Sequence, residues 1–211
     1  MKLYYAPETT SLAPHITLRE LGRGYDLERV DLATQRTASG ADYSLITAKH
    51  QVPALQLDDQ KVVLTETTAI LLYLADLDPE RMLAPPFGTM GRYYHQELLV
   101  YIATEVHMQM RPLRNRDIPA GFATNLRGQL GERFLYLQDI LFDRGYLMGE
   151  TFTVADAYLF ALLQWCPQLG LDIQLYPNLD DYEYRVSQRP AVHDAMVAEG
   201  MKERHVFRES A

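Results

Sequence analysis

Apolar and polar positions follow two different rhythms along this chain, and the change falls near residue 80. Lys2-Leu3-Tyr4-Tyr5 and the stretch from Tyr25 to Leu32 have the short apolar pattern of strands. Between them, Ser11 to Leu21 predicts a helix, with Pro14 in its first turn and Gly22 and Gly24 past its end. Ala54 to Leu57 and Lys61 to Leu64 flank Asp58-Asp59-Gln60, which predicts a hairpin, and Thr67 to Ala75 predicts a second helix. The order β-α-β, then β-β-α, implies an α/β unit on a mixed sheet. Asp78-Pro79 through Gly88, with three prolines and a glycine, reads as a linker.

Beyond it the period is helical. Tyr94, Leu98, Tyr101, Glu105 and Met108 share one helix face, and Val100, Thr104, His107 and Arg111 share the next. Leu126, Leu130, Phe134, Leu137 and Leu141 form an amphipathic stripe. Thr153-Val154-Ala155-Asp156 is a capping-box pattern with Asp in place of Glu. It opens a run to Leu169 that is apolar almost all round, which predicts a helix at the centre of a bundle and makes Asp156 a structural cap. Ser187 to Gly200 predicts a last helix around Pro190. The expected domains are 1–80 and 88–211, joined by 81–87.

Composition narrows the function classes. The chain has 211 residues, 47% apolar and 23% charged, as expected of an ordinary globular protein. Its net charge of −8, with scattered basic residues, argues against nucleic acid and acidic membranes as partners. The start lacks a signal-peptide pattern and no apolar run reaches membrane-span length, so a cytoplasmic location is the default expectation. Cys166 is the only cysteine, which excludes an intrachain disulfide, a zinc-ligand cysteine cluster and a Cys-x-x-Cys pair; no metal is expected. It falls in the inner-helix run and reads as packing.

One constellation suggests chemistry. In Gln51-Val52-Pro53-Ala54-Leu55 a proline stands at the mouth of a strand and can hold Val52 extended, its backbone facing outward. Eleven residues on, Glu66-Thr67 opens a helix, whose N-terminus can take a carboxylate. A small peptide with a free α-carboxylate would fit such a pair.

These stretches, with Ser11-Leu12-Ala13-Pro14-His15, Tyr101 to His107 and Phe152 to Tyr158, resemble the bacterial beta-class glutathione transferases over nearly the whole chain. The resemblance implies a thioredoxin-like N-terminal domain, an all-helical C-terminal domain and a homodimer. It implies that glutathione is the co-substrate and that a small hydrophobic electrophile is its acceptor. By the same resemblance the Val52-Pro53 bond is cis and Val52 pairs with the cysteinyl backbone. Glu66 and Thr67 take the γ-glutamyl end, Gln35 stands where a lysine often reaches the glycyl carboxylate, and Thr104 and His107 line the wall from the second domain. Gln51 completes the binding set, and Tyr101 and Glu105 fall at the dimer contact.

The departures are as specific as the matches. Thr10 stands at the family's cysteine position, Val100 at an active-site asparagine, Met108 at a basic residue and Gln35 at the lysine. With no cysteine at that position and Cys166 read as packing, thiol exchange is not expected, and glutathione is expected to supply the only reacting sulfur. The expected thiolate donors are hydroxyls: Ser11 first, then Thr10, then Tyr5, helped by the first helix's N-terminal amides. His107 is expected to position or polarise the reactants, with the acceptor between Thr10, His107 and Arg111, beside Met108 and Met110. Two alternatives stay open: a non-catalytic ligand carrier, and a glutathione-dependent isomerase or dehalogenase.

Overall fold

The computed structural model describes residues 1–58 and 62–202. The first unit is a five-stranded sheet in the order β3-β2-β1-β4-β5. Its strands are β1 (Lys2–Tyr5), β2 (Asp26–Asp31), β3 (Arg36–Thr37), β4 (Ala54–Gln56) and β5 (Val63–Thr65). β1 pairs parallel with β2, across the helix α1 (Leu12–Leu21), and antiparallel with β4. β4 and β5 form the expected hairpin, Ala54 opposite Thr65; residues 59–61 of its turn, including Lys61, lie outside the described residues. α2 (Thr67–Asp76) follows β5 directly. Leu3 and Leu55 from the sheet, Leu12 and Ile16 from α1, and Ile70 and Leu74 from α2 bury fully against one another. This is a thioredoxin-like unit, and its α1 lies on the second domain.

The connecting segment is no loose tether. Leu83 and Ala84 are buried, and the Leu83 carbonyl accepts a hydrogen bond from the Val154 amide at 2.9 Å. Beyond it one long helix runs through three registers: α3 (Met90–Tyr101), a π-helical stretch at Ile102–His107, and α4 (Met108–Leu113). α5 (Ala120–Ile140) carries the predicted Leu126-to-Leu141 stripe inward, all of it buried. Tyr101 and Glu105, expected at a dimer contact, are engaged within the chain. Glu105 pairs with Arg133 at 2.9 Å, and the Tyr101 and Tyr136 rings stand 4.9 Å apart.

The central helix is shorter than its apolar run. α6 (Val154–Leu163) ends early and a separate turn, α7 (Cys166–Leu169), follows, because Pro167 cannot donate to the ladder and disfavours helix before it. The capping box at Thr153 is present, and Asp156 does more than close it. Its carboxylate accepts from the Leu147 and Thr153 amides and the Thr153 and Tyr182 hydroxyls at 2.7–3.2 Å, while burial pushes its carboxyl up to about 6. Cys166 is buried. Pro190 starts a helix instead of interrupting one: α8 (Pro177–Ser187) and α9 (Pro190–Ala198) are separate. α8 gave no apolar pattern in the sequence because Asn178 to Arg185 is mostly polar.

The two domains share a broad seam, in which α1 packs on α6 and α9. Fully buried His15 on α1 faces Glu199 just past α9, with Nδ1 and Oε1 2.8 Å apart, and Arg19 donates to its Nε2 at 3.3 Å. Beside it Arg189 clamps Glu20 through two nitrogens at 2.7 and 3.0 Å and stacks on Phe152 at 4.1 Å.

Candidate active site

At the other end of the seam the domains part around a cavity of about 290 Å³. Its floor comes from the loop before β4 and the start of α2: Gln51, Val52, Pro53 and Thr65 to Thr68. Its wall comes from the π-helical stretch and α4: Ala103, Thr104, His107, Met108 and Arg111. Thr10 and Tyr158 close the inner end. The π register belongs to the argument, since such stretches re-aim side chains and recur at functional sites. Here it carries Thr104 and His107.

The floor is built to meet a backbone and an anion. The Val52-Pro53 bond is cis, and the Tyr43 hydroxyl fixes the Gln51 carbonyl at 2.9 Å. Glu66, which precedes α2, has φ of 71°, a costly region for a residue with a side chain. Ile70 is the first α2 amide bonded back to the Glu66 carbonyl, so the amides of Thr67, Thr68 and Ala69 remain the open helix N-terminus. Lys49 also lines the floor, its ammonium 2.6 Å from the Glu66 carboxylate.

The two neighbouring hydroxyls at the start of α1 have opposite environments. Ser11 is fully buried and does not line the cavity. Its Oγ accepts from the Ala6 amide at 3.2 Å, donates to the Ala6 carbonyl at 3.1 Å and sits 2.7 Å from the Thr9 hydroxyl. It makes no cap bond to α1. Thr10 lines the cavity, and its Oγ1 accepts from the Thr67 hydroxyl at 3.2 Å, which leaves its own proton for a group in the cavity. The α1 amides are mostly spent. Leu12 and Ala13 donate to the Thr9 and Thr10 carbonyls, and Ser11 donates to the Thr9 hydroxyl. Among the described residues the Thr10 amide has no protein acceptor.

From Thr10 the polar line continues into the second domain. Thr67 also acts on the Tyr158 hydroxyl, whose pKa burial pushes well above the usual phenol range. Tyr158 in turn lies 2.9 Å from His107 Nδ1. Burial first, then the Arg111 and Arg114 guanidiniums, push the His107 imidazole down to about 4. At neutral pH it is therefore uncharged, with Nε2 free of protein partners among the described residues. A smaller pocket of about 190 Å³ opens beside Thr10 and His107, floored by Trp165 and edged by Arg111 and Arg114.

Family models match both units: the glutathione S-transferase N-terminal domain over residues 10–77 and its C-terminal domain over 101–190. The glutathione S-transferase GstA of Escherichia coli O157:H7 is 43% identical over 202 residues, covering 96% of this chain and 100% of its own. The chain belongs to the glutathione S-transferase family. Solved members superpose closely. A sphingomonad glutathione S-transferase complexed with glutathione is 38% identical, has a TM-score of 0.91 and covers 96% of this chain and 100% of its own. A beta-class enzyme of Sphingomonas chungbukensis is 40% identical, with the same TM-score and the same coverage.

Among the residues singled out from sequence, Thr10, Gln51, Val52, Pro53, Glu66, Thr67, Thr104 and His107 come together around this family cavity. Ser11, Tyr5 and Gln35 do not. Tyr5 packs its ring 6.2 Å from His15, on the seam. The Gln35 amide donates to the Leu32 and His50 carbonyls. Met110 is fully buried rather than beside an acceptor. Val100 is exposed, lines neither pocket, and its carbonyl accepts from the Thr104 hydroxyl. The sequence reading missed Lys49, Thr68, Tyr158, Arg114 and Trp165. Tyr158 carried a signal: a phenol in an otherwise apolar helix must find a buried partner. The others carried none.

Proposed function

We propose that this chain activates the thiol of glutathione and transfers the sulfur to an electrophilic carbon. What carries the reading is one cavity that joins an extended-backbone floor, an open helix N-terminus and a hydroxyl with an uncommitted proton. Val52 pairs with the cysteinyl backbone, with Gln51 and Pro53 shaping the floor. The γ-glutamyl carboxylate takes the open amides of α2, and its ammonium takes Glu66. Lys49, rather than Gln35, is the cation near enough to answer a carboxylate on this floor.

The sulfur then lies beside Thr10. A thiol with a reference pKa near 8.5 is mostly protonated at neutral pH. The Thr10 hydroxyl and amide stabilise the anion by donation, and the proton leaves to solvent. Ser11 acts one step removed, by holding the loop from Ala6 that carries Thr10. Neutral His107 and Thr104 orient the acceptor from the facing wall. Glutathione supplies the only reacting sulfur, since Cys166 is packed in the core.

The same reading divides the chain into a glutathione-binding unit of 1–80 and a helical unit from 88 onward, joined by 81–87. It makes the active form a homodimer. Leu45 and Phe87, 86% and 88% exposed, together with Met90, Tyr93 and Tyr94, offer the apolar surface a second copy would cover. It puts the protein in the cytoplasm; among the described residues no helix is long and apolar enough to cross a membrane. The test is titration with glutathione followed by conjugation to an activated aryl halide. Binding tighter than millimolar with turnover above the uncatalysed rate is expected, and millimolar-or-weaker binding without turnover refutes the reading.

A further inference from the structure

The small pocket beside Thr10 has a chemistry that an apolar acceptor does not need. Two guanidiniums edge it, and among the described residues no carboxylate lines it. Arg114 is held in place: it donates to the Glu8 carbonyl at 2.6 Å and lies over the Trp165 ring, 4.4 Å from the centroid. Arg111 lines both this pocket and the main cavity, is exposed, and among the described residues its guanidinium makes no hydrogen bond or ion pair. His107, between them and Trp165, stands 5.4 Å from the indole. Both guanidiniums bear on its imidazole, which stays neutral and adds no repulsion of its own toward a cation or attraction toward an anion. Among the described residues the one acid in the main cavity, Glu66, is matched by Lys49. The chain as a whole carries −8, so its long-range field repels anions, and any preference for them must be made locally.

We propose that the acceptor is an anionic electrophile, a planar carboxylate-bearing compound whose carboxylate pairs with Arg111. This rests on the transferase reading above and names the substrate class for it. The free guanidinium supplies a planar pair of donors that matches a carboxylate, while Arg114 is already spent on the Glu8 carbonyl and on covering the buried Trp165 ring. With an aryl halide the balance is simple. The thiolate sulfur bonds to the ring carbon, the carbon–halogen bond breaks, and halide leaves with the electron pair; the thiol proton has already gone to solvent.

The experiment compares 4-chloro-3-nitrobenzoate with its methyl ester under saturating glutathione. Each kcat/KM is divided by the uncatalysed second-order rate constant, which removes the electronic difference between the two rings. The wild type is expected to accelerate the acid about tenfold more than the ester. In Arg111→Met that ratio should collapse towards one, and Arg111→Lys should restore part of it. A ratio of one in the wild type, or a ratio unchanged in Arg111→Met, overturns the proposal while leaving the transferase reading intact. No glutathione binding by calorimetry and no turnover of either compound overturns both.

Discussion

Two histidines at the boundary between the domains show how differently the same residue can be used. His15, on the α1 seam, is fully buried with both ring nitrogens engaged, one by Glu199 and one by Arg19. His107, at the cavity, has one nitrogen against Tyr158 and the other open. The first network is closed around its histidine and holds α1 to the end of α9; its unpaired atom, Glu199 Oε2, is buried and lines neither pocket beside Thr10. The second ends in an unspent valence at each extremity, Nε2 of His107 and the proton of Thr10. Burial alone does not separate the roles; what does is whether the uncommitted group of the histidine's network faces a cavity.

The closed network should break hardest. Removing one partner of a buried pair strands the other, at a cost of about 3–5 kcal/mol. Glu199→Ala is therefore expected to lower the unfolding midpoint by about 10 °C in calorimetry, since each kcal/mol is about 2–4 °C at this size. The folded variant should conjugate glutathione at the wild-type rate per molecule. Rate loss without stability loss would show that the two networks are not separate.

Thr10→Val makes the opposite cut. It keeps the shape and deletes the donor, so kcat/KM is expected to fall about tenfold to a hundredfold, with the bound thiol's pKa rising as read by thiolate absorbance. Unfolding by urea should barely change. Ser11→Ala reverses the pattern: it leaves the Ala6 amide without its acceptor and costs about 1–3 kcal/mol of stability. A rate loss in Ser11→Ala larger than in Thr10→Val would return the donor role to Ser11.

His95 supplies a third case. It is fully buried, and among the described residues neither ring nitrogen has a partner. Burial, with Arg92 adding, pushes it down to about 4, from an ordinary 6.5. Between those values the unfolded chain binds the proton more readily than the folded one, so this residue's share of stability is whole above about 6.5 and is lost as pH falls to about 4. His95→Leu should hold or gain about 1–2 kcal/mol at pH 7, by removing unpaired polar atoms, and flatten the acid limb of a urea-midpoint profile. An unchanged acid limb would mean that His95 is not the titrating group.

Much of this could be read along the chain. Four of the five strands, α1, α2 and the α5 stripe follow from periodicity, and the floor from Val52-Pro53 and Glu66-Thr67, because these depend on neighbours in sequence; the two-residue β3 is too short to show a period. What could not be read depends on where the backbone turns. Ser11 and Thr10 are adjacent and chemically alike; only the fold of the Ala6-to-Ser11 loop decides that one hydroxyl is consumed and the other presented. Lys49 reaches Glu66 across 17 residues and Arg114 reaches Glu8 across 106, and no local pattern encodes either contact. The break at Pro167 was legible, but the apolar run through it carried more weight than the proline.

The finest cut tests whether the open network acts as a unit. Tyr158 touches neither reacting atom; it lies between Thr67 and His107, so it acts through them as a positioning residue. Tyr158→Phe keeps the ring that packs edge-on against His107 at 6.0 Å and deletes only the hydroxyl. His107 then loses the partner that fixes its tautomer, and the hydroxyl pair Thr67–Thr10 loses its anchor in the second domain. The expected result is small, a fall in kcat of about threefold with KM for glutathione unchanged, because no donor to sulfur is removed, only its orientation. In the double variant with Thr10→Val, the two losses should combine to less than their product, since Tyr158 can orient nothing once Thr10 has no proton to give. Full multiplication of the two effects would separate Tyr158 from Thr10 and leave it serving His107 alone.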